Sequence, residues 1–291
     1  MKISDTFPDV IALSSMSSSP HLDREILLSH ILQKPRSFCI AHPEYTLTGE
    51  EEIRYKALLQ RRMSFESMDQ ILGEKEFFGI PFCVNESVLS PRPETEWIVE
   101  EFLRLLAEFD KEPRFSTVVD VGTGSGCILL SLAQSLQKTH PEVFSRMTFV
   151  GGDISEKALE VAKKNAEALH LLPFISFVLS DLLQNIPLLD PKKALLVANL
   201  PYIPEGDTLP PEVLLNDPHT ALFSGETGVD HYLRLFSELP ENIGGILFEF
   251  HPPQQNILKD SLLKRFPKAN ISFFSDFTGQ MRFGKMIIDN L

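Results

Sequence analysis

Between residues 117 and 250, short apolar runs alternate with longer stretches whose apolar positions recur every three or four residues. The runs "STVVDVG", "MTFVGGD", "FISFVLSD", "ALLVANLP" and "GGILFEF" have strand length and are apolar almost throughout, the pattern of strands buried on both faces. The intervening stretches near Ile128–Gln137, Glu156–Leu169, Asp230–Leu239 and Gln254–Phe266 carry helical spacing. Such alternation predicts an open parallel sheet with crossover helices on both faces. At the end, "ANISFFSD" and "RFGKMIID" are separated only by "FTGQM". That gap has no room for a helix, so the two runs should close the sheet as an antiparallel hairpin. The fold class expected is α/β, a Rossmann-like sheet of seven strands with a C-terminal antiparallel hairpin.

The front of the chain has a different rhythm. "LDREILLSHILQ" from Leu22 and "GEEEIRYKALLQRRM" from Gly49 predict helices, with Asp23 and Thr48 as N-caps. The serine run before Pro20 reads as a flexible lead-in. Residues 1–75 are expected to form a small helical domain. Residues 76–90, with aromatic and β-branched residues around Gly79-Ile80-Pro81, should form a hairpin linker. Residues 91–291 should form the α/β domain.

Composition narrows the options. The chain has 291 residues, 43% hydrophobic and 23% charged, ordinary for a soluble protein with one large core and a smaller appendage. Asp5 and Asp9 interrupt the stretch where a secretory signal would be apolar. The cysteines Cys39, Cys83 and Cys127 are far apart and unpaired in spacing, so neither a disulfide framework nor a metal site is expected. A cytoplasmic location follows, with no membrane partner and a monomeric state expected. The formal net charge of −13 opposes direct nucleic-acid binding, which draws its affinity from Lys and Arg.

The segment "VVDVGTGSGCILLSLA" is a strand, a glycine loop and a helix, the place where a parallel sheet accepts a nucleotide-like ligand. Its Gly122-x-Gly124-x-Gly126 spacing brings the third glycine one residue earlier than a dinucleotide loop does, and Asp120 stands within the motif. The spacing resembles an S-adenosylmethionine loop. A carboxylate at Asp120 is tolerable near a sulfonium or amino group. Asp153 would accept both hydroxyls of a ribose, and Asp181 would lie near an adenine. Each aspartate could also be only a helix cap.

"NLPY", Asn199 to Tyr202, ends the fourth run and so shares the same crevice. It is similar to the Asn-Pro-Pro-Tyr signature of methyltransferases acting on planar amino groups, either a glutamine amide or the adenine amine. Delocalisation of such a nitrogen's lone pair is reflected in the roughly 18–20 kcal/mol barrier to amide rotation. Two acceptors gripping its N–H groups would localise that pair. Asn199 supplies one through its side-chain oxygen, and a backbone carbonyl of Leu200 or Pro201 the other. Pro201 sets the turn, and Tyr202 offers a flat face.

Blocks in order along nearly the whole chain, among them "LTGEEEIRYKALLQRR", "LSPRPETE", "NLPYIP", "DPHTALFSGETGVDHY" and "DFTGQMRFGK", resemble the glutamine methyltransferases of the HemK/PrmC type. Those enzymes modify the Gly-Gly-Gln loop of peptide chain release factors. The resemblance implies a class I S-adenosylmethionine-dependent methyltransferase, with residues 1–75 as its substrate-recognition domain and residues 91–291 as its catalytic domain. Its cofactor would be held by Asp120, Gly122, Thr123, Gly124, Ser125, Gly126, Asp153, Asp181, Leu182 and Asn199, and the glutamine amide by Asn199, Leu200, Pro201 and Tyr202. Residues Arg92 to Glu96 would lie beside the site, with Thr95 either part of it or an N-cap. Leu200 for proline, "SFESMDQ" and His251 in "FEFHPPQ" depart from the family pattern. The alternatives are an adenine amino-group methyltransferase acting on RNA or DNA, and a glutamine methyltransferase of a ribosomal protein. His251 reads as a turn residue, Cys127 as packing and "GEEEIRYK" as a solvated helix face.

Overall fold

A computed structural model describes residues 1–15, 17–107, 114–187, 190 and 193–288. The chain divides into two compact units, the first being Met1–Gly73 with Leu209–Asn216, and the second Glu74–Thr208 with Asp217–Leu291.

In the first unit, helices Phe7–Leu13, Pro20–Leu32, Arg36–Ala41, Gly49–Met63 and Met68–Leu72 enclose a core that includes Ile3, Leu27, Leu28, Ile31, Tyr55 and Ile71. Thr48 caps its helix through a reciprocal box. Its hydroxyl accepts from the Glu51 N–H at 3.2 Å, and the Glu51 carboxylate accepts from the Thr48 N–H at 2.7 Å. Asp23 is not a cap. The helix begins three residues earlier at Pro20, which suits a first helical turn because proline has no N–H to lose, and Asp23 instead takes Arg62 Nε at 2.7 Å in the interior. The serine run joins two helices, Met16 lying outside the described residues. The returning helix Pro211–Asn216 joins this unit through Asn216. Asn216 Oδ1 accepts from the Ser67 N–H at 3.2 Å, its Nδ2 donates to the Phe65 carbonyl at 2.7 Å, and its own carbonyl accepts from Gln70 Nε2 at 2.6 Å.

The second unit opens with a hairpin of β1 (Glu74–Phe77) and β2 (Ile80–Cys83). Phe78 and Gly79 both take positive φ, 54° and 69°, matching the twist a two-residue turn needs. Seven further strands follow: β3 (Thr117–Val121), β4 (Thr148–Asp153), β5 (Ile175–Leu179), β6 (Ala194–Ala198), β7 (Gly245–Glu249), β8 (Asn270–Ser275) and β9 (Met281–Ile287). They form one sheet in the order β5-β4-β3-β6-β7-β9-β8. The first five run parallel, and β9 lies antiparallel to both β7 and β8. The last run was read as far as Asp289, which lies outside the described residues.

Every residue of β3, β6 and β7 is buried, so these strands read as continuous apolar runs. One face packs on Ile98, Phe102, Leu129 and Leu132. The other packs on Tyr232, Phe236, Leu258 and Leu262. The chain builds outward from β3 through β4 to β5, then returns to β6 on the other side of β3. That reversal opens a crevice beyond the strand tips. Register aligns the tips: Val121 lies opposite both Gly152 and Ala198, and Ala198 lies opposite Phe248.

Candidate functional site

The crevice at this switch point lies within the second unit and holds about 800 Å³ of empty space, counted to its open mouth. Its lining includes Gly122, Gly124, Asp153, Asp181, Leu182, Asn199, Leu200 and Pro201, bringing together residues from four sequence-distant stretches.

The glycine loop turns sharply. Its Gly122 and Thr123 N–H groups both donate to the Gly152 carbonyl at 2.9 Å, and Gly126 caps the helix Cys127–Thr139. Gly122 has φ +74°, and a Cβ there would meet Leu200 Cδ2 at 2.9 Å. Asp153 is half-buried and already employed, since one carboxylate oxygen takes the Gly124 N–H and the other the Ser155 N–H, each at 2.9 Å. Burial raises its pKa while those N–H groups oppose the rise. A second lone pair on each oxygen remains for a ligand hydroxyl. Asp181 is paired with Arg234, and Leu182 takes φ +50°.

Asp120, expected to face a ligand, is fully buried beneath the loop. The Thr123 hydroxyl donates to one of its oxygens at 2.8 Å, while the other, Oδ1, has no partner among the described residues. Burial pushes its pKa up to about 7. Its position within β3, one residue before the strand's end, explains the difference: the loop folds over it. Thr123 and Ser125 are buried with it, and neither they nor Gly126 and Tyr202 are among the crevice-lining residues. Cys127 is a buried thiol pushed by burial to about 12, consistent with packing.

Asn199 donates through Nδ2 to Thr95 Oγ1 at 3.0 Å, and its Oδ1 makes no hydrogen bond among the described residues. The Leu200 N–H donates to the Tyr232 hydroxyl at 3.1 Å. Neither the Leu200 nor the Pro201 carbonyl accepts a hydrogen bond among the described residues. Three acceptors at this tip therefore have no partner of their own. The Tyr202 hydroxyl donates to Glu249 Oε1 at 3.1 Å, and its carbonyl accepts from Gln254 Nε2 at 2.7 Å. Burial and then the Glu249 charge push the phenol pKa up.

Several contributors were not singled out from the sequence. Glu249, at the end of β7, accepts from Thr95 Oγ1 at 2.6 Å and is buried; burial raises its pKa against the pull of the Thr95 and Tyr202 hydroxyls. Thr95 ends the 3₁₀ turn Pro93–Thr95, directly before the helix Glu96–Ala107, and its buried hydroxyl is engaged by Glu249 and Asn199. Asn165 ties the hairpin to the loop, donating to the Cys83 and Ser125 carbonyls at 3.0 and 2.9 Å. His231 lines the crevice with Nδ1 held 2.5 Å from Ser224 Oγ, and burial followed by Arg234 lowers its pKa. His251 heads the 3₁₀ turn Pro252–Gln254 as a turn residue. Among the described residues no cluster of His, Cys, Asp or Glu could hold a metal ion, and no helix is long and apolar enough to cross a membrane.

The family profile described as "Methyltransferase domain" matches residues 115–214. The solved hMettl16 catalytic domain, in complex with a MAT2A 3'UTR hairpin, shares the fold at a TM-score of 0.54 and 16% identity, over 84% of each chain. Sheet order, glycine loop and switch-point crevice define a class I methyltransferase. The profile described as "PrmC N-terminal domain" matches residues 12–73. Relatives named release factor glutamine methyltransferase align along most of their length. The one from Koribacter versatilis is 37% identical over 253 residues, 83% of this chain and 84% of the relative. That from Vibrio cholerae is 35% identical over 278 residues, 92% and 90% of the two chains. The chain belongs to the release factor glutamine methyltransferase family.

Proposed function

We propose that this protein transfers a methyl group from S-adenosylmethionine to the side-chain amide nitrogen of the glutamine in the Gly-Gly-Gln motif of peptide chain release factors. The observation that carries the reading is the tip of β6, where Asn199 Oδ1 and the Leu200 and Pro201 carbonyls have no partner among the described residues, beside a crevice edged by a glycine loop.

The crevice residues suit the cofactor. Gly122 and Gly124 let backbone approach a ligand closely, Asp153 keeps a lone pair on each oxygen that would serve the ribose hydroxyls, and Asp181 with Leu182 would border the adenine. Asp120 would act from beneath, fixing the loop through Thr123. When bound, the cofactor supplies an electrophilic methyl group on a sulfonium.

Asn199 Oδ1 would accept one N–H of the substrate amide and a backbone carbonyl of Leu200 or Pro201 the other. Holding both hydrogens out of conjugation weakens the overlap that makes an amide nitrogen inert and stabilises the positive charge that develops there. Tyr202, its hydroxyl tethered to Glu249, braces the turn. The methylated nitrogen then releases one proton to solvent, restoring a neutral amide. The formal charge of −13 works against a polyanionic substrate. We place the protein in the cytoplasm, acting as a monomer with the N-terminal unit recognising the release factor.

The test is to incubate the protein with S-adenosylmethionine and a purified bacterial release factor, digest, and weigh the Gly-Gly-Gln peptide. A gain of one methyl group on glutamine is expected, and an unchanged mass would overturn the reading.

A further inference from the structure

A side-chain amide has two nearly isosteric ends, one accepting and one donating. Only the accepting end can grip a substrate N–H, so an Asn199 turned the wrong way would present a donor to a donor. Something must hold the side chain in one of its two orientations.

The geometry points to Glu249 and Thr95 as positioning residues that lock the Asn199 amide with its oxygen toward the crevice. The reasoning follows the single proton of the Thr95 hydroxyl. Thr95 Oγ1 lies 2.6 Å from Glu249 Oε2, the short separation of a hydroxyl donating to a carboxylate. Both residues are about 2% exposed, so water is not available to take that proton's place. With its one hydrogen committed to Glu249, Oγ1 can only accept. What it accepts is Asn199 Nδ2 at 3.0 Å, which turns Oδ1 the other way. The same carboxylate takes the Tyr202 hydroxyl on its other oxygen at 3.1 Å. One buried carboxyl group thus orients both polar side chains of the motif. Sheet register makes this possible: Ala198 pairs with Phe248, which carries Asn199 and Glu249 to neighbouring strand tips.

This inference rests on the reading that Asn199 accepts from the substrate amide, and the experiment separates the two. Wild type, Thr95→Ser, Thr95→Val and Asn199→Ala are assayed for methylation of the release-factor glutamine, with S-adenosylhomocysteine affinity measured by calorimetry as a check on the folded crevice. Thr95→Ser keeps the hydroxyl and should retain kcat. Thr95→Val keeps the shape without it and should lose about 10- to 100-fold in kcat, the size of a small misplacement at a reacting centre, with cofactor-product affinity little changed. In an Asn199→Ala background the same Val substitution should cost nothing further, because no amide remains to orient. A packing role would instead multiply the losses. Should Thr95→Val not fold, Thr95→Ala enters the same cycle. The lock is overturned if the hydroxyl-free variant keeps its kcat, if Thr95→Ser falls as far as Thr95→Val, or if the losses multiply. If wild type itself leaves the glutamine unmethylated, the substrate reading falls and the lock with it.

Discussion

Gly122 and Leu200 meet at the heart of the crevice: a Cβ on the glycine would stand 2.9 Å from Leu200 Cδ2. The cofactor loop and the Asn-Leu-Pro-Tyr motif are therefore packed against each other, and Leu200, where the motif differs from the Asn-Pro-Pro-Tyr signature it resembles, is the residue in contact.

Gly122→Ala should destabilise the fold by roughly 1–2 kcal/mol from its left-handed backbone alone, and should weaken binding of S-adenosylhomocysteine. Because the clash is with a leucine methyl, the penalty should shrink in a Leu200→Ala background. Thermal unfolding and calorimetry on the two single variants and the double variant check this. An equal penalty in both backgrounds would mean that the contact carries no strain.

Asn199→Ala should lower kcat by roughly 10²–10³-fold, comparable to removing one oxyanion-hole donor, while affinity for S-adenosylhomocysteine changes little. Single-turnover methylation with a release-factor substrate measures it. Near-normal turnover would remove Asn199 from the chemistry.

Asp120 is held at about 7 by burial, against an ordinary value of 3.8. The folded protein therefore binds this proton more tightly than the unfolded chain does. Its contribution to stability is full below about pH 4, declines as pH rises, and levels off above about pH 7. The loss amounts to roughly 4 kcal/mol at about 1.4 kcal/mol per pH unit. Asp120→Asn, which cannot ionise, should gain on the wild type between about pH 4 and pH 7 in urea unfolding. A stability difference that stays constant with pH would disprove the buried-acid account.

The ion pair of Asp23 with Arg62 is buried within the first unit, the two side chains being 9% and 4% exposed. Asp23→Ala should cost about 3–5 kcal/mol by stranding a guanidinium, toward the lower end because Glu212 stays 3.3 Å from Arg62. Chemical denaturation of the full chain reports it. A loss well below 1 kcal/mol would show that Glu212 and water compensate.

What could be read from the chain and what could not divide along physical lines. The strands were legible because burial on both faces leaves an unbroken apolar signature, and the closing hairpin because "FTGQM" is too short for a crossover. The glycine loop and "NLPY" were legible because spacing within a few residues carries their meaning. Glu249 was not: it looks like any charge ending a strand until the pairing of β6 with β7 sets it beside Asn199. Thr95 was ambiguous for the same reason, since a threonine before a helix is ordinarily a cap. Asp23 was misplaced because the proline that starts its helix lies three residues upstream. The partnership of Asp181 with Arg234 spans a distance in sequence that no local pattern encodes.

The allegiance of Leu209–Asn216 to the first unit has a practical side. The polypeptide passes from one unit to the other at three points, so a protease that nicks the Gly73–Glu74 junction leaves the front fragment still clasping the returning helix through Asn216. Expressed by itself, the first seventy-three residues would leave the Ser67 amide, the Phe65 carbonyl and the Gln70 side chain without the asparagine that completes them. The front unit is thus a lock missing one tumbler until the rest of the protein has been made.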